Sequence, residues 1–193
     1  MPGSNARALE KARTLPADAL ILDLEDAVAP DMKDFARAQA VTAVKEGGFG
    51  RREVVIRVNG LDTPWGHDDL LAAAEAGPNA VLVPKVSDPD AIAAAELALA
   101  TSCAPETLRV WAMIETPLAI FNAEAIARTA RAETGRLACF VLGTNDLAKE
   151  TRARFVPGRS TMLPWLATAL AAARAHGLGI LDGVLGVAEP AKA

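Results

Sequence analysis

Residues 19–33 read ALILDLEDAVAPDMK. The stretch opens as a short apolar run and turns abruptly acidic at Asp23, Glu25 and Asp26. It then passes through Asp31 and Asp34 into an alanine-containing helical pattern. A parallel strand buried on both faces reads as a continuous apolar run rather than an alternating one. A helix that follows favours acids in its first turn, where negative charge meets the positive end of the dipole. The stretch therefore reads as one strand–loop–helix unit. Two uses of its acids stay open: capping the helix, or building a site where the strand surfaces.

The same grammar recurs along the chain. Apolar, β-branched runs at 52–58 (REVVIRV), 80–84 (AVLVP), 108–115 (LRVWAMIE), 137–143 (LACFVLG) and 178–183 (LGILDG) alternate with helical stretches at 5–14, 31–46, 66–76, 88–101, 120–132 and 161–176. Strands alternating with helices at this spacing imply βαβ units and a parallel sheet. No long Gly/Ser linker or low-complexity block interrupts the rhythm, and a single domain over residues 1–193 is the expectation. A closed (β/α)8 barrel needs eight units and usually about 250 residues, so six strands fit an open doubly wound sheet more comfortably. Two details favour the barrel. No glycine-rich phosphate loop follows the first run, and polar residues recur after several different runs, as where barrel loops share one catalytic face. The opening MPGSN resembles a loop that follows a strand.

Composition excludes several classes. With 51% hydrophobic and 23% charged residues the chain is globular. A net charge of −4 and a pI near 5.3 do not favour nucleic acid or an anionic membrane as partner. No apolar stretch reaches the roughly 18–20 residues of a membrane span. The N-terminus has no basic segment followed by an apolar one, so no secretory signal is read and a cytoplasmic location is the expectation. Cys103 and Cys139 are isolated, which suits small packed residues in a reducing compartment. His67 and His176 fall in helical surroundings without zinc-type spacing and read as surface residues.

A parallel α/β fold gathers the C-terminal ends of its strands on one rim. Here those ends carry Asp23, Glu25 and Asp26; Arg57 and Asn59; Lys85; Glu115; Asn145 and Asp146; and Asp182. Glu115 and Asp146 form the sharpest pair, each an acid close after an apolar run on neighbouring units. Converging carboxylates repel unless a cation or a proton lies between them. Oxygen-only ligands suit Mg²⁺, which keeps positions for water and substrate oxygens. The competing reading gives one of the acids to a salt bridge with Arg57 or Lys85. Arg57 lies inside an apolar strand and needs an anion, either a ligand carboxylate or Glu25 or Asp26. Lys85 reads as an ion-pair residue, with a Schiff base as the lesser alternative. Gly143 and Thr144 begin a turn towards the next helix, where backbone N–H groups can hold a substrate carboxylate.

Taken together and in order, PGSN…EKA, ADALILDLEDAV, VIRVNGLDTPWGHDDL, AVLVPKV, AMIETPLAIFNAEAIA, FVLGTNDLAKE and GILDGV resemble the citrate lyase β-subunit-like branch of the HpcH/HpaI aldolase family. The resemblance implies a phosphoenolpyruvate/pyruvate-type (β/α)8 barrel, here without its first strand and last β/α unit. It further implies Mg²⁺-dependent cleavage or formation of a carbon–carbon bond in a β-hydroxyacyl-CoA of the citryl-, malyl- or citramalyl-CoA type, with an acyl-CoA and a 2-keto acid as partners. By motif, Glu115 and Asp146 correspond to metal ligands and Arg57 to the substrate-binding arginine. Glu25 and Asp26 correspond to acids that position Arg57 and a metal-bound water. Gly143, Thr144 and Asn145 fall on the substrate-binding turn, and a homo-oligomer, trimer or hexamer, is expected. No counterpart of the histidine base of the HpaI-type aldolases is found, which favours CoA thioesters. CoA is expected across the rim near Lys11 or Arg13. Two alternatives remain: an aldolase for free 2-keto-3-deoxy acids, and a non-catalytic binding homologue.

Overall fold

A computed structural model describes residues 1–184. Six strands form one sheet: β1 (Ala19–Asp23), β2 (Glu53–Arg57), β3 (Ala80–Val83), β4 (Arg109–Ile114), β5 (Leu137–Leu142) and β6 (Gly179–Leu181). All neighbouring pairs are parallel and the order is β1-β2-β3-β4-β5-β6. A doubly wound sheet reverses its strand order at a switch point. This sheet never reverses, and it forms a half-barrel. The eight strands of a closed barrel are not present among the described residues, and β6 does not pair with β1. Residues at the N-terminus lie along the free edge of β1. Asp23 N donates to Met1 O (2.8 Å), Gly3 N donates to Asp23 O (2.8 Å), and Pro2 bridges Asp23 in parallel.

The helices are α1 (Ala6–Ala12), α2 (Lys33–Glu46), α3 (Gly66–Ala76), α4 (Pro89–Thr101), α5 (Pro117–Phe121), α6 (Ala123–Arg128), α7 (Thr144–Thr151) and α8 (Leu163–Ala175). Local chemistry accounts for several starts. Asn5, Asp88 and Thr116 each accept a backbone N–H from the first turn of α1, α4 and α5, and Pro89 and Pro117 occupy first-turn positions where no N–H is needed. The acids of the 19–33 stretch divide as its pattern allows. Asp31 lies in a short 3-10 turn and Asp34 in the first turn of α2. Two expectations change. The helix expected over 120–132 is broken into α5, α6 and a 3-10 turn, because Asn122 leaves helical geometry between the two. The helix start expected after Gly143 and Thr144 is α7, whose extent was not among the expected helical stretches because its polar TNDLAKET segment offers little apolar periodicity.

Side chains alternate across a strand, and here the alternation sorts two cores. Leu20, Leu22, Val54, Ile56, Val81, Val110, Ile114 and Phe140 face the helices in the main core. Val55, Ala80, Leu82, Trp111, Cys139 and Val141 form a second cluster on the face without helices, joined by Ile21 and Met113. Continuing the alternation by two residues puts Asp23, Arg57, Glu115 and Gly143 on that same inner face at the C-terminal rim. Cys139 is packed as expected, and burial pushes its thiol up to about 11. Cys103 is exposed instead, because it caps the end of α4 in a left-handed turn at φ 55°. His67 is exposed as expected, whereas His176 is half-buried beside Glu124, 3.0 Å away. No described helix is long and apolar enough to cross a membrane.

Candidate functional site

The pairing register creates the first part of the site. Asp23 and Arg57 are direct partners across β1 and β2. Their side chains therefore meet, and the guanidinium fork takes both carboxylate oxygens: Nε donates to Asp23 Oδ1 at 2.6 Å and Nη2 to Oδ2 at 2.5 Å. Glu25 Oε2 lies 3.0 Å and Asp26 Oδ2 3.8 Å from Arg57 Nη1. The Glu25 contact is off the N–H direction, so that buried oxygen is left without a hydrogen bond. Burial works against the Asp23 charge, but the hydrogen bonds and charge of Arg57 outweigh it and hold the carboxyl below its usual value. The same partners hold Arg57 firmly charged. The expectation that Glu25 and Asp26 pair with Arg57 is therefore met in part. Its main partner is Asp23, which the sequence reading placed on the rim without this role.

Beneath the 24–26 loop lies a network that no motif announced. Lys33, buried at the start of α2, donates to Leu24 O (2.8 Å), Glu25 O (2.7 Å) and Asn59 Oδ1 (2.7 Å). Asn59 Nδ2 donates to Asp69 Oδ2 (2.6 Å), and Asp69 Oδ1 accepts from Arg37 Nε (2.6 Å). Asn59 thus turns away from the rim cavity and braces the loop. The only sequence signal was a lysine and an aspartate spaced to face inward from α2 and α3.

The second half of the rim is built differently. Glu115 follows β4 directly and is almost wholly buried (1% exposed). Its Oε1 accepts the backbone N–H of Lys85 (2.8 Å), while Oε2 is buried with no hydrogen-bond partner. Burial first, and then the nearby negative charges of Glu25 and Asp146, push its carboxyl up to about 7 against the partial relief from Lys85 N–H. Gly143 follows β5 at the neighbouring position. A Cβ there would lie 2.4 Å from Glu115 Cβ and 2.5 Å from Glu115 Oε2, so only glycine leaves space beside that carboxylate. Gly143 also caps α7, whose first turn carries buried Thr144, exposed Asn145 and half-buried Asp146.

Asp23, Asp26, Arg57, Gly143, Thr144, Asn145, Asp146 and Asp182 line one cavity of about 560 Å³ at this rim. Asp182 is held by Arg159 through two hydrogen bonds of 2.8 and 2.7 Å. A larger cavity of about 940 Å³ opens at the other end of the strands, between Arg51, Trp111 and Arg174, and none of the rim acids reaches it. Arg13 also belongs to that far end. It pairs with Glu46 (2.8 Å) and lies 5.4 Å from the Phe49 ring, because α1 runs back from the rim. Arg13 therefore does not stand on the rim, where CoA was expected to reach Lys11 or Arg13.

Among the described residues, no group of three or more His, Cys, Asp and Glu side chains gathers around one point. A donor set of two carboxylates, one with an orphaned buried oxygen and a glycine-sized space beside it, fits a hard cation that keeps most of its own waters. Lys85 Nζ lies 3.6 Å from Glu25 Oε1, which agrees with the ion-pair reading.

The family model described as HpcH/HpaI aldolase/citrate lyase matches residues 1–193. A (3S)-malyl-CoA thioesterase of Cereibacter sphaeroides (strain KD131 / KCTC 12085) is 50% identical over 184 residues, covering 95% of this chain and 61% of the relative. The citrate lyase subunit beta of Escherichia coli (strain K12) is 33% identical over 189 residues, with the same shares of 95% and 61%. The chain thus spans 61% of the length of both relatives. Among solved structures, the protein CitE of Mycobacterium tuberculosis in complex with magnesium, acetoacetate and coenzyme A is 26% identical with a TM-score of 0.76, covering 97% of this chain and 65% of that one.

Proposed function

The chain belongs to the HpcH/HpaI aldolase/citrate lyase family, and from that membership and the rim geometry we propose that it is part of a Mg²⁺-dependent enzyme acting on a short β-hydroxyacyl-CoA thioester. The proposed reaction breaks the carbon–carbon bond between the hydroxyl carbon and the α-carbon, releasing an acyl-CoA and a 2-keto acid. The observation that carries the reading is the buried, unpartnered Oε2 of Glu115 beside Asp146. An anionic carboxylate in that place is unstable without a cation, and Glu115 and Asp146 are the proposed ligands.

Bound there, Mg²⁺ supplies Lewis acidity towards the hydroxyl and carboxylate oxygens of the substrate. The remaining work falls to the chain. Arg57, fixed by Asp23 on one side, keeps its Nη1 edge towards the site for negative charge that develops on the substrate. Glu25 and Asp26 flank that edge and would face water held by a bound cation. The N–H groups that open α7 at Thr144, Asn145 and Asp146 lie towards the cavity, where a carboxylate of the substrate is proposed to sit. In the bond-breaking step the hydroxyl loses its proton and becomes a carbonyl. The electron pair of the broken bond passes into the thioester enolate and is protonated to the acyl-CoA. The monotonic strand order supports reading the sheet as part of a (β/α)8 barrel.

A second reading has a specific observation behind it. The relatives that are 46–50% identical carry the name (3S)-malyl-CoA thioesterase, which favours hydrolysis of the thioester instead. One assay separates the two. With (3S)-malyl-CoA and Mg²⁺, carbon–carbon cleavage yields glyoxylate and acetyl-CoA without free thiol. Hydrolysis yields malate and free CoA thiol. Glyoxylate trapping together with thiol titration reads both, and release of neither, with Mg²⁺ bound, rejects the proposal.

A further inference from the structure

Among the described residues, four other than glycine adopt positive φ: Lys85 (52°), Cys103 (55°), Arg152 (55°) and Arg159 (54°). Three of them have an ordinary explanation. Cys103 closes the turn after α4, Arg152 is the C-cap of α7, and Arg159 ends a 3-10 turn. Lys85 ends no helix. It follows β3 through Pro84, and at such a turn the left-handed position falls to glycine or asparagine, which carry little steric penalty. A long side chain at a strained backbone position points to a use for that side chain.

Lys85 does two separate things there. Its backbone N–H, turned by the left-handed φ, donates to Glu115 Oε1. Glycine would serve that purpose equally, so the hydrogen bond does not explain the lysine. Its ammonium stands on the rim with the side chain 57% exposed, and its ion pair with Glu25 Oε1 at 3.6 Å is too long for a hydrogen bond. A second cation of the inner face is gripped on one side and keeps only its Nη1 edge towards the site. Arg57 is gripped by Asp23 through two hydrogen bonds and flanked by Glu25 and Asp26, with its side chain only 12% exposed. Lys33 spends all three of its donors beneath the loop. Among the described residues, the Lys85 ammonium makes no hydrogen bond, and the charges of Glu25, Asp26, Glu115 and Asp146 all favour its protonated form.

We propose that Lys85 is a substrate-recognition residue: its ammonium takes an oxygen of a small carboxylate ligand of the 2-keto-acid class bound over the Glu115–Asp146 pair. The strained turn starts the side chain that carries the ammonium to 3.6 Å from Glu25 Oε1. This assignment rests on the metal site proposed above.

The test uses Lys85→Ala, Lys85→Gly and Lys85→Arg, with Mg²⁺ alone and then oxaloacetate in saturating Mg²⁺ as probes, read by calorimetric titration and thermal melting. Lys85→Ala and Lys85→Gly should bind oxaloacetate roughly tenfold more weakly, the loss of one charge-assisted hydrogen bond, and Lys85→Arg should recover most of it. Mg²⁺ alone should bind both truncated variants as well as or better than the wild type, because a positive charge has been taken from beside the carboxylates. Lys85→Gly should melt above Lys85→Ala, since glycine relieves the positive φ. Undiminished oxaloacetate binding in Lys85→Ala overturns the assignment, as does a parallel loss of Mg²⁺ affinity, which would make Lys85 a structural support of Glu115. A wild-type chain that binds no Mg²⁺ at all overturns the metal site and this assignment together, a result distinct from either of the others.

Discussion

The two halves of the rim answer the same problem, buried charge, in opposite ways. At β1 and β2 the register places Asp23 opposite Arg57, and the two neutralise each other through paired hydrogen bonds. At β4 and β5 the register places Glu115 opposite a glycine, and the carboxylate receives one backbone N–H and nothing on its other oxygen. The first carboxyl is held below its usual value and the second is pushed up to about 7. Asp23, spent in that pair, is scaffold that fixes Arg57. An unsatisfied buried acid with a glycine-sized space beside it is a place for something else.

Breaking each half should therefore fail in a different way. Asp23→Asn leaves Arg57 nearly buried with its main partner gone, and removal of one member of such a pair costs about 3–5 kcal/mol. Urea unfolding should show that loss with Mg²⁺ present or absent. Glu115→Gln should do the reverse: stability of the metal-free protein at pH 7.5 equal to or above the wild type, and Mg²⁺ affinity lower by more than about 100-fold, beyond the loss typical of altering a residue that only supports a ligand. If Glu115→Gln unfolds the protein while Asp23→Asn leaves it intact, the assignment of scaffold and site is inverted.

Gly143→Ala sharpens the comparison with a smaller change. The new Cβ must displace Glu115 by more than a few tenths of an ångström, since its nearest contacts are 2.4 and 2.5 Å. Overpacking of this kind costs about 1–3 kcal/mol, and the displaced carboxylate should lose Mg²⁺ as well. Restoring wild-type stability and affinity by simple rotation of Glu115 would show that the space beside Oε2 has no use.

Much of this was legible in the residues. Parallel strands buried on both faces leave continuous apolar runs, so all six strands could be located, and the acid or base after each run marked the rim. Glu115, Asp146, Arg57 and the Gly143 turn fall together for that reason. The register was not legible, because a parallel pair is set by crossover helices rather than by a short turn. Without it, nothing in the sequence distinguished Asp23 from Glu25 as the partner of Arg57. The Lys33–Asn59–Asp69 network was hidden for a related reason: polar residues that satisfy one another inside a fold look, one by one, like surface residues. The left-handed φ at Lys85 was equally invisible, since Pro-Lys carries no turn signal of the Pro-Gly kind.

The pH dependence of the metal-free protein also discriminates between the halves. Glu115 has an ordinary value of 4.5 and about 7 in the fold. Below pH 4.5 it is protonated in both the folded and the unfolded chain, and its contribution to stability is fully present. As pH rises towards 7 the unfolded chain gives up the proton first, and that contribution is lost. Asp23 runs the other way: its value is lowered from 3.8, so its contribution is present above that value and lost as pH falls below it. The difference in unfolding free energy between wild type and Glu115→Gln should therefore turn against the wild type across pH 4.5 to about 7. Saturating Mg²⁺ should close that gap at the upper end, where the carboxylate is charged and the cation no longer competes with a proton. A difference that stays flat with pH, or that Mg²⁺ leaves unchanged at pH 8, would mean that Glu115 is already paired in solution and that this half of the rim is scaffold as well.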